Sequence, residues 1–156
     1  MTSFSTAVLT AAIVCNGLLA GTFFAFACSV VPGLRHVDDA TYVTAFRAIN
    51  RAILNGWFLS VFMGAPVLAV VAAVLRPDGT AFVWLVVGAA CAIATFAITA
   101  AVNVPLNQRL DAAPTDSPTA LTEARRAFEP RWNRAHLVRT LTSVAGAASL
   151  TLAVVV

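Results

Sequence analysis

Between Glu129 and Thr140 the chain reads Glu-Pro-Arg-Trp-Asn-Arg-Ala-His-Leu-Val-Arg-Thr and then turns apolar to its last residue. A helix starting at Pro130 places Trp132, His136 and Arg139 at i, i+4 and i+7 on one face, with Asn133 and Thr140 beside them. Histidine is the side chain whose ordinary pKa lies nearest neutrality, so His136 is the natural proton acceptor of the set. No second histidine or carboxylate stands at metal spacing from His136, which argues against a metal centre. P-loop, glycine-rich dinucleotide, nucleophile-elbow and haem signatures are lacking too, leaving acid–base or binding chemistry without a cofactor.

Two further stretches bring polar groups at helical spacing. Asn50, Arg51 and Asn55 stand together, with Arg51 and Asn55 at i, i+4. Thr99, Asn103 and Asn107 repeat every four residues around Pro105, which withdraws a backbone N–H and leaves a free carbonyl near Ala101. That helix end is expected to open toward something. The candidate substrate-binding residues are therefore Asn50, Arg51, Asn55, Asn103, Asn107 and Asn133, with Arg35 and His36 near enough to join them.

The elements that must position these residues belong to a membrane. The chain is 60 % hydrophobic and 11 % charged, with a mean hydropathy of +0.86, outside the range of soluble domains. Charge-free windows run over 4–34, 52–75, 79–108 and 140–156. Three exceed the roughly 20 residues a helix needs to cross a bilayer, and the fourth reaches that length once the 132–139 turn is added. The expected fold is an all-α membrane protein, a four-transmembrane-helix up-down bundle in one domain over 1–156. Its spans lie at about 5–31, 52–75, 80–104 and 132–156, with amphipathic interfacial helices at about 39–50 and 118–129. The first interfacial helix starts at Asp38-Asp39 and carries Tyr42, Phe46, Ile49 and Ile53 on one face. Pro32-Gly33 should stop the first span, and Pro66 should kink the second.

All ten basic residues are arginine, and nine of them lie in or beside the first and third connections. The positive-inside rule then makes those connections cytoplasmic and both termini extracytoplasmic, in an integral multi-pass protein of the cell membrane. The net charge of +3 reports topology and calls for no nucleic acid. The first 12 residues lack the basic n-region of a cleaved signal, and the following apolar run is too long for one. Gly17/Gly21 and Gly56/Gly64 form small-residue stripes suited to close packing or to a homo-oligomer, and Asn16 needs a partner across such a contact. Cys15, Cys28 and Cys91 show no CxxC or metal spacing and read as small apolar side chains.

Asn50-Arg-Ala-Ile-Leu54 opening a span, Val102-Asn-Val-Pro-Leu-Asn-Gln-Arg-Leu110 closing one and Arg131-Trp-Asn-Arg-Ala-His-Leu-Val-Arg-Thr140 opening the last resemble the anthrone oxygenase-like membrane proteins. The resemblance extends over nearly the whole chain. It implies a four-helix membrane protein and, for some members, cofactor-independent oxidation of a polyketide anthrone to a quinone. In that reading a small apolar aromatic or quinone-like ligand enters a pocket where His136 is the base. Arg139 and Arg51 meet the enolate and reduced-oxygen charges, Asn103 and Asn107 donate to substrate oxygens, and Trp132 stacks. The alternative is a non-enzymatic membrane protein whose same polar belt binds lipid headgroups or a partner protein. A permease ranks lower, because no polar path runs to the outer side.

Overall fold

The structure is a computed structural model and describes residues 3–156; Met1 and Thr2, the first residues of the stretch read for a basic leader, lie outside the described residues. Five helices organise the chain: α1 (Ser3–Leu34), α2 (Asp39–Ile53), α3 (Gly56–Val74), α4 (Thr80–Ala112) and α5 (Pro118–Val155). All except α2 are long and apolar enough to cross a membrane. The fold is therefore the all-α, four-span arrangement that the apolar windows indicate.

Local chemistry sets the helix starts. Asp38 accepts from the Thr41 N–H at 2.8 Å, Asn55 from Phe58 N–H at 3.0 Å and Ser117 from Ala120 N–H at 3.2 Å, each satisfying a donor that the first turn leaves free. Gly79 opens α4 at φ +80°, a left-handed conformation that glycine adopts without strain.

The boundaries depart from the sequence expectation in four places. The first span passes Pro32 and ends at Leu34, because a π-helical turn at Phe26–Val30 accommodates the proline. The second span begins at Gly56 rather than 52, since Leu54 leaves the helical region and Asn55 becomes a cap. The third continues to Ala112 through another π-helical turn, Thr99–Asn103, just ahead of Pro105. The 118–129 helix and the last span are one 38-residue helix that contains Pro130. An interior proline costs about 3 kcal/mol; Phe128 and Trp132, buried in one cluster on either side of it, hold the helix in line.

The spans form a ring in which α1 touches α3 and α5, and α4 touches the same two. At the end that carries both termini the contacts are tight and alanine-rich: Ala12, Ala69, Ala72, Ala81, Ala92 and Ala153 surround Leu9, Leu85 and Leu150. A Cβ on Gly88 would stand 2.7 Å from Leu150, so α4 and α5 meet there only because position 88 has no side chain. Asn16 finds the partner it needs, its Nδ2 donating to the Ala65 carbonyl of α3 at 3.2 Å. Gly17 and Gly21 face open space, whereas Gly64 is in van der Waals contact with Cys15 inside the bundle.

At the arginine-rich end the buried cluster is built largely from aromatics. Tyr42, Val43 and Phe46 of α2 are buried with Phe128 and Trp132 of α5. Arg47 holds α2 to the end of α4, giving Leu110 O two bonds at 3.0 and 2.8 Å and Ala113 O one at 2.6 Å. Arg125 of α5 holds it from the other side, pairing with Asp39 at 3.1 Å and Glu129 at 2.7 Å and lying 4.4 Å over the Tyr42 ring. Leu18, Phe24, Met63, Val67, Val83 and Leu141 meanwhile stand exposed on the outside of the spans, a surface suited to lipid.

Candidate functional site: a cavity closed by α2

Both π-helical turns precede a proline by two residues and both lie beside the polar cluster. Proline cannot donate to the carbonyl four residues back and crowds it, and a widened turn relieves the conflict. On α1 this turn carries Phe26 and on α4 Asn103, so the two helices bring altered faces to the centre.

Between these turns, under α2, lies a cavity of about 410 Å³. Phe23, Phe26, Ile49, Ile53, Phe58 and Phe62 give it apolar and aromatic walls, and Asn50, Arg51, Asn107, Gln108, Asp111 and Arg139 contribute the polar part, with Trp132 beside them. Its volume and character are those of a small-molecule site. Three lining residues carry a buried polar atom without a protein partner: Asn50 Nδ2, Asn107 Oδ1 and Trp132 Nε1. Buried polar groups are rarely left unpaired, so an occupant with hydrogen-bonding atoms matches this wall.

Arg139 dominates the electrostatics. It is 8 % exposed, and among the described residues no carboxylate pairs with it. Its guanidinium carbon lies 4.4 Å from the centre of the Phe23 ring and 5.2 Å from that of Trp132. Cation–π attraction in a desolvated place contributes on the order of 2 kcal/mol, and it leaves the charge without a counter-anion. Nη1 reaches Thr99 Oγ1 at 3.4 Å and Nε donates to His136 Nδ1 at 3.0 Å.

That last bond fixes the histidine. Arginine can only donate, so Nδ1 is the acceptor, and Nε2 carries the hydrogen that meets the Phe23 carbonyl at 3.1 Å. The ring stacks on Trp132 at 4.7 Å and 17°. His136 is 2 % exposed and stands behind Arg139 and Trp132, outside the cavity wall.

The sequence profile of the anthrone oxygenase family matches residues 57–149, more than half of the chain. The chain belongs to the anthrone oxygenase family. Neither the search of curated proteins nor that of solved structures gave a match. The matched region covers α3, α4 and most of α5, and with them Asn103, Asn107, Trp132, His136 and Arg139; Asn50 and Arg51 precede it.

Of the polar and aromatic residues singled out by spacing, the structure gathers Asn50, Arg51, Thr99, Asn107, Trp132 and Arg139 on the cavity. Asn103 is fully buried behind it, donating to Trp132 O at 3.4 Å. Asn55 is exposed and occupied as a cap, and Asn133 lies off the wall with its Oδ1 unpaired. Arg35 and His36 are exposed and line no part of it. Sequence reasoning missed Gln108 and Asp111, which follow Asn107 at i+1 and i+4, and the aromatic wall of Phe23, Phe26, Phe58 and Phe62. The signal for the first pair was the helix continuing past residue 104; for the second, a phenylalanine in an apolar span has no pattern of its own.

Proposed function

We propose that the cavity takes up a flat aromatic ketone of the anthrone type and converts its acidic methylene to a carbonyl with dioxygen, without metal or flavin. The observation that carries this reading is Arg139, buried and paired with no carboxylate among the described residues, on the wall of a cavity whose other walls are largely apolar and aromatic, supported by membership of the family. A neutral ketone slides between the rings; the charge appears only when the methylene proton leaves and the ketone oxygen becomes an enolate. A cationic donor held on the wall beside that place stabilises the transition state more than the ground state.

The steps balance. The methylene gives up a proton, the carbanion adds dioxygen to form a peroxide, and the peroxide loses water to leave the carbonyl. One oxygen atom stays in the quinone and the other leaves as water with the two methylene hydrogens, so no outside reductant enters. His136 orients Arg139 through Nδ1 in the resting state. When the guanidinium turns from it toward the oxygen of the bound ketone, Nδ1 is freed to accept the methylene proton, and the enolate forms beside the cation. Asn107, Asn50 and the Trp132 N–H serve the remaining substrate oxygens, and the apolar walls keep water from the carbanion.

The test is quinone formation from a hydroxylated anthrone by the purified full chain in detergent, measured against the protein-free autoxidation rate. Acceleration well above that background is expected; a rate equal to it removes the enzymatic reading.

A further inference from the structure

A second hollow, of about 480 Å³, lies on the outer side of α4 and α5. Its floor is apolar, with Ile98, Ala101, Val102 and Pro105 from α4 and Ala135 and Val138 from α5. Three arginines line it as well, Arg109 from α4 and Arg131 and Arg134 from α5. All three are exposed, and the two ion pairs found among the described residues both belong to Arg125, so none of the three has an acidic partner. Along α4 the apolar floor runs inward from Arg109 to Ile98, roughly 16 Å at 1.5 Å per residue. On α5 the order is the same, with Arg131 and Arg134 at the arginine-rich end and Val138 deeper. The groove thus has a cationic end at the membrane surface and an apolar length in the bilayer, the complement of one anionic amphiphile.

We propose that this groove is a binding site for a single anionic glycerophospholipid. Its phosphate sits among Arg109, Arg131 and Arg134, and one acyl chain lies along Ile98, Val102 and Val138. Guanidinium is suited to phosphate because it offers paired donors with a fixed charge. The site is separate from the cavity under α2: along α4 it takes residues 98, 101, 102, 105, 106 and 109, while the cavity takes 99, 104, 107, 108, 111 and 112. It does not rest on the oxidation chemistry.

The test uses the full chain, delipidated in mild detergent, with phosphatidylglycerol or phosphatidylcholine added and the retained lipid read by native mass spectrometry. Each interfacial arginine contributes about fivefold in affinity, so three give a preference for phosphatidylglycerol on the order of 100-fold. The triple variant Arg109→Gln/Arg131→Gln/Arg134→Gln should lose it, each single variant about fivefold. Arg35→Gln/Arg126→Gln, two exposed arginines outside the groove, should leave it intact. The single variants carry the test if the triple variant does not fold. Equal retention of phosphatidylcholine, an equal loss in the Arg35/Arg126 variant, or displacement by millimolar inorganic phosphate alone would each overturn the proposal.

Discussion

Arg139 carries a full charge at a place where charge is expensive, and its neighbours are two aromatic rings, a threonine and a histidine. A salt bridge would have neutralised it; here the charge is left to act on whatever enters. His136 tests the division of labour beside it. In His136→Gln a side-chain carbonyl can still accept from Arg139 but takes up no proton near neutrality. The expected result is near-normal binding of a non-reactive anthraquinone, by fluorescence or calorimetry, with turnover down about 100-fold. Normal turnover would leave His136 a positioning residue. The shared face of Trp132, His136 and Arg139 was legible because the helical period fixes it. Which of the three reaches the cavity was not, because a face gives direction without depth. Arg139 reaches the wall, while the shorter imidazole, bonded to Phe23 O, stays behind. Asn55 misled for another reason: its spacing from Arg51 has meaning only in one continuous helix, and Leu54 breaks it.

Among the elements, α2 decides whether there is a cavity at all, since Ile49, Asn50, Arg51 and Ile53 form one side of it. Its amphipathic pattern was plain in the sequence. Its anchors, Arg47 on Leu110 O and Arg125 on Asp39, join positions far apart in the chain and leave no local pattern. The Asp39 carboxyl is held below the usual carboxylate range, first by the Thr122 hydroxyl and then by Arg125. A lowered folded-state pKa stabilises docking above the ordinary range and is lost as pH falls through the folded value. The anchoring of α2 should therefore be constant near neutral pH and weaken below about pH 4. Hydrogen exchange of α2 amides against pH checks this, and Asp39→Asn should remove much of the dependence. At the other end, Gly88→Ala places a methyl against Leu150 and should lower stability by about 1–3 kcal/mol. Thermal unfolding in detergent measures it, with Gly17→Ala, which meets open space, as the unaffected comparison. The prolines announced irregular helix ends; the π-helical turns that resulted depend on the whole bundle continuing past them.

Across the whole molecule the two ends divide the work. Alanine and glycine close the termini end tightly, while large rings and an inserted helix hold the arginine-rich end apart around about 410 Å³ of space. The four spans and their order follow from composition and window length alone, because a bilayer accepts few arrangements. The cavity follows from how the side chains pack, which no single helix encodes. Its lining includes Leu54 between α2 and α3 and Phe58 and Leu59 at the start of α3, beside the exposed Trp57, which gives the proposed apolar substrate a lateral way in. The most direct measurement is oxygen consumption with a hydroxylated anthrone, comparing the purified wild type with Arg139→Gln at matched folding. The wild type should consume one dioxygen per quinone formed, with the variant slower by about 100-fold or more; equal rates would show that the buried cation plays no part and contradict the account.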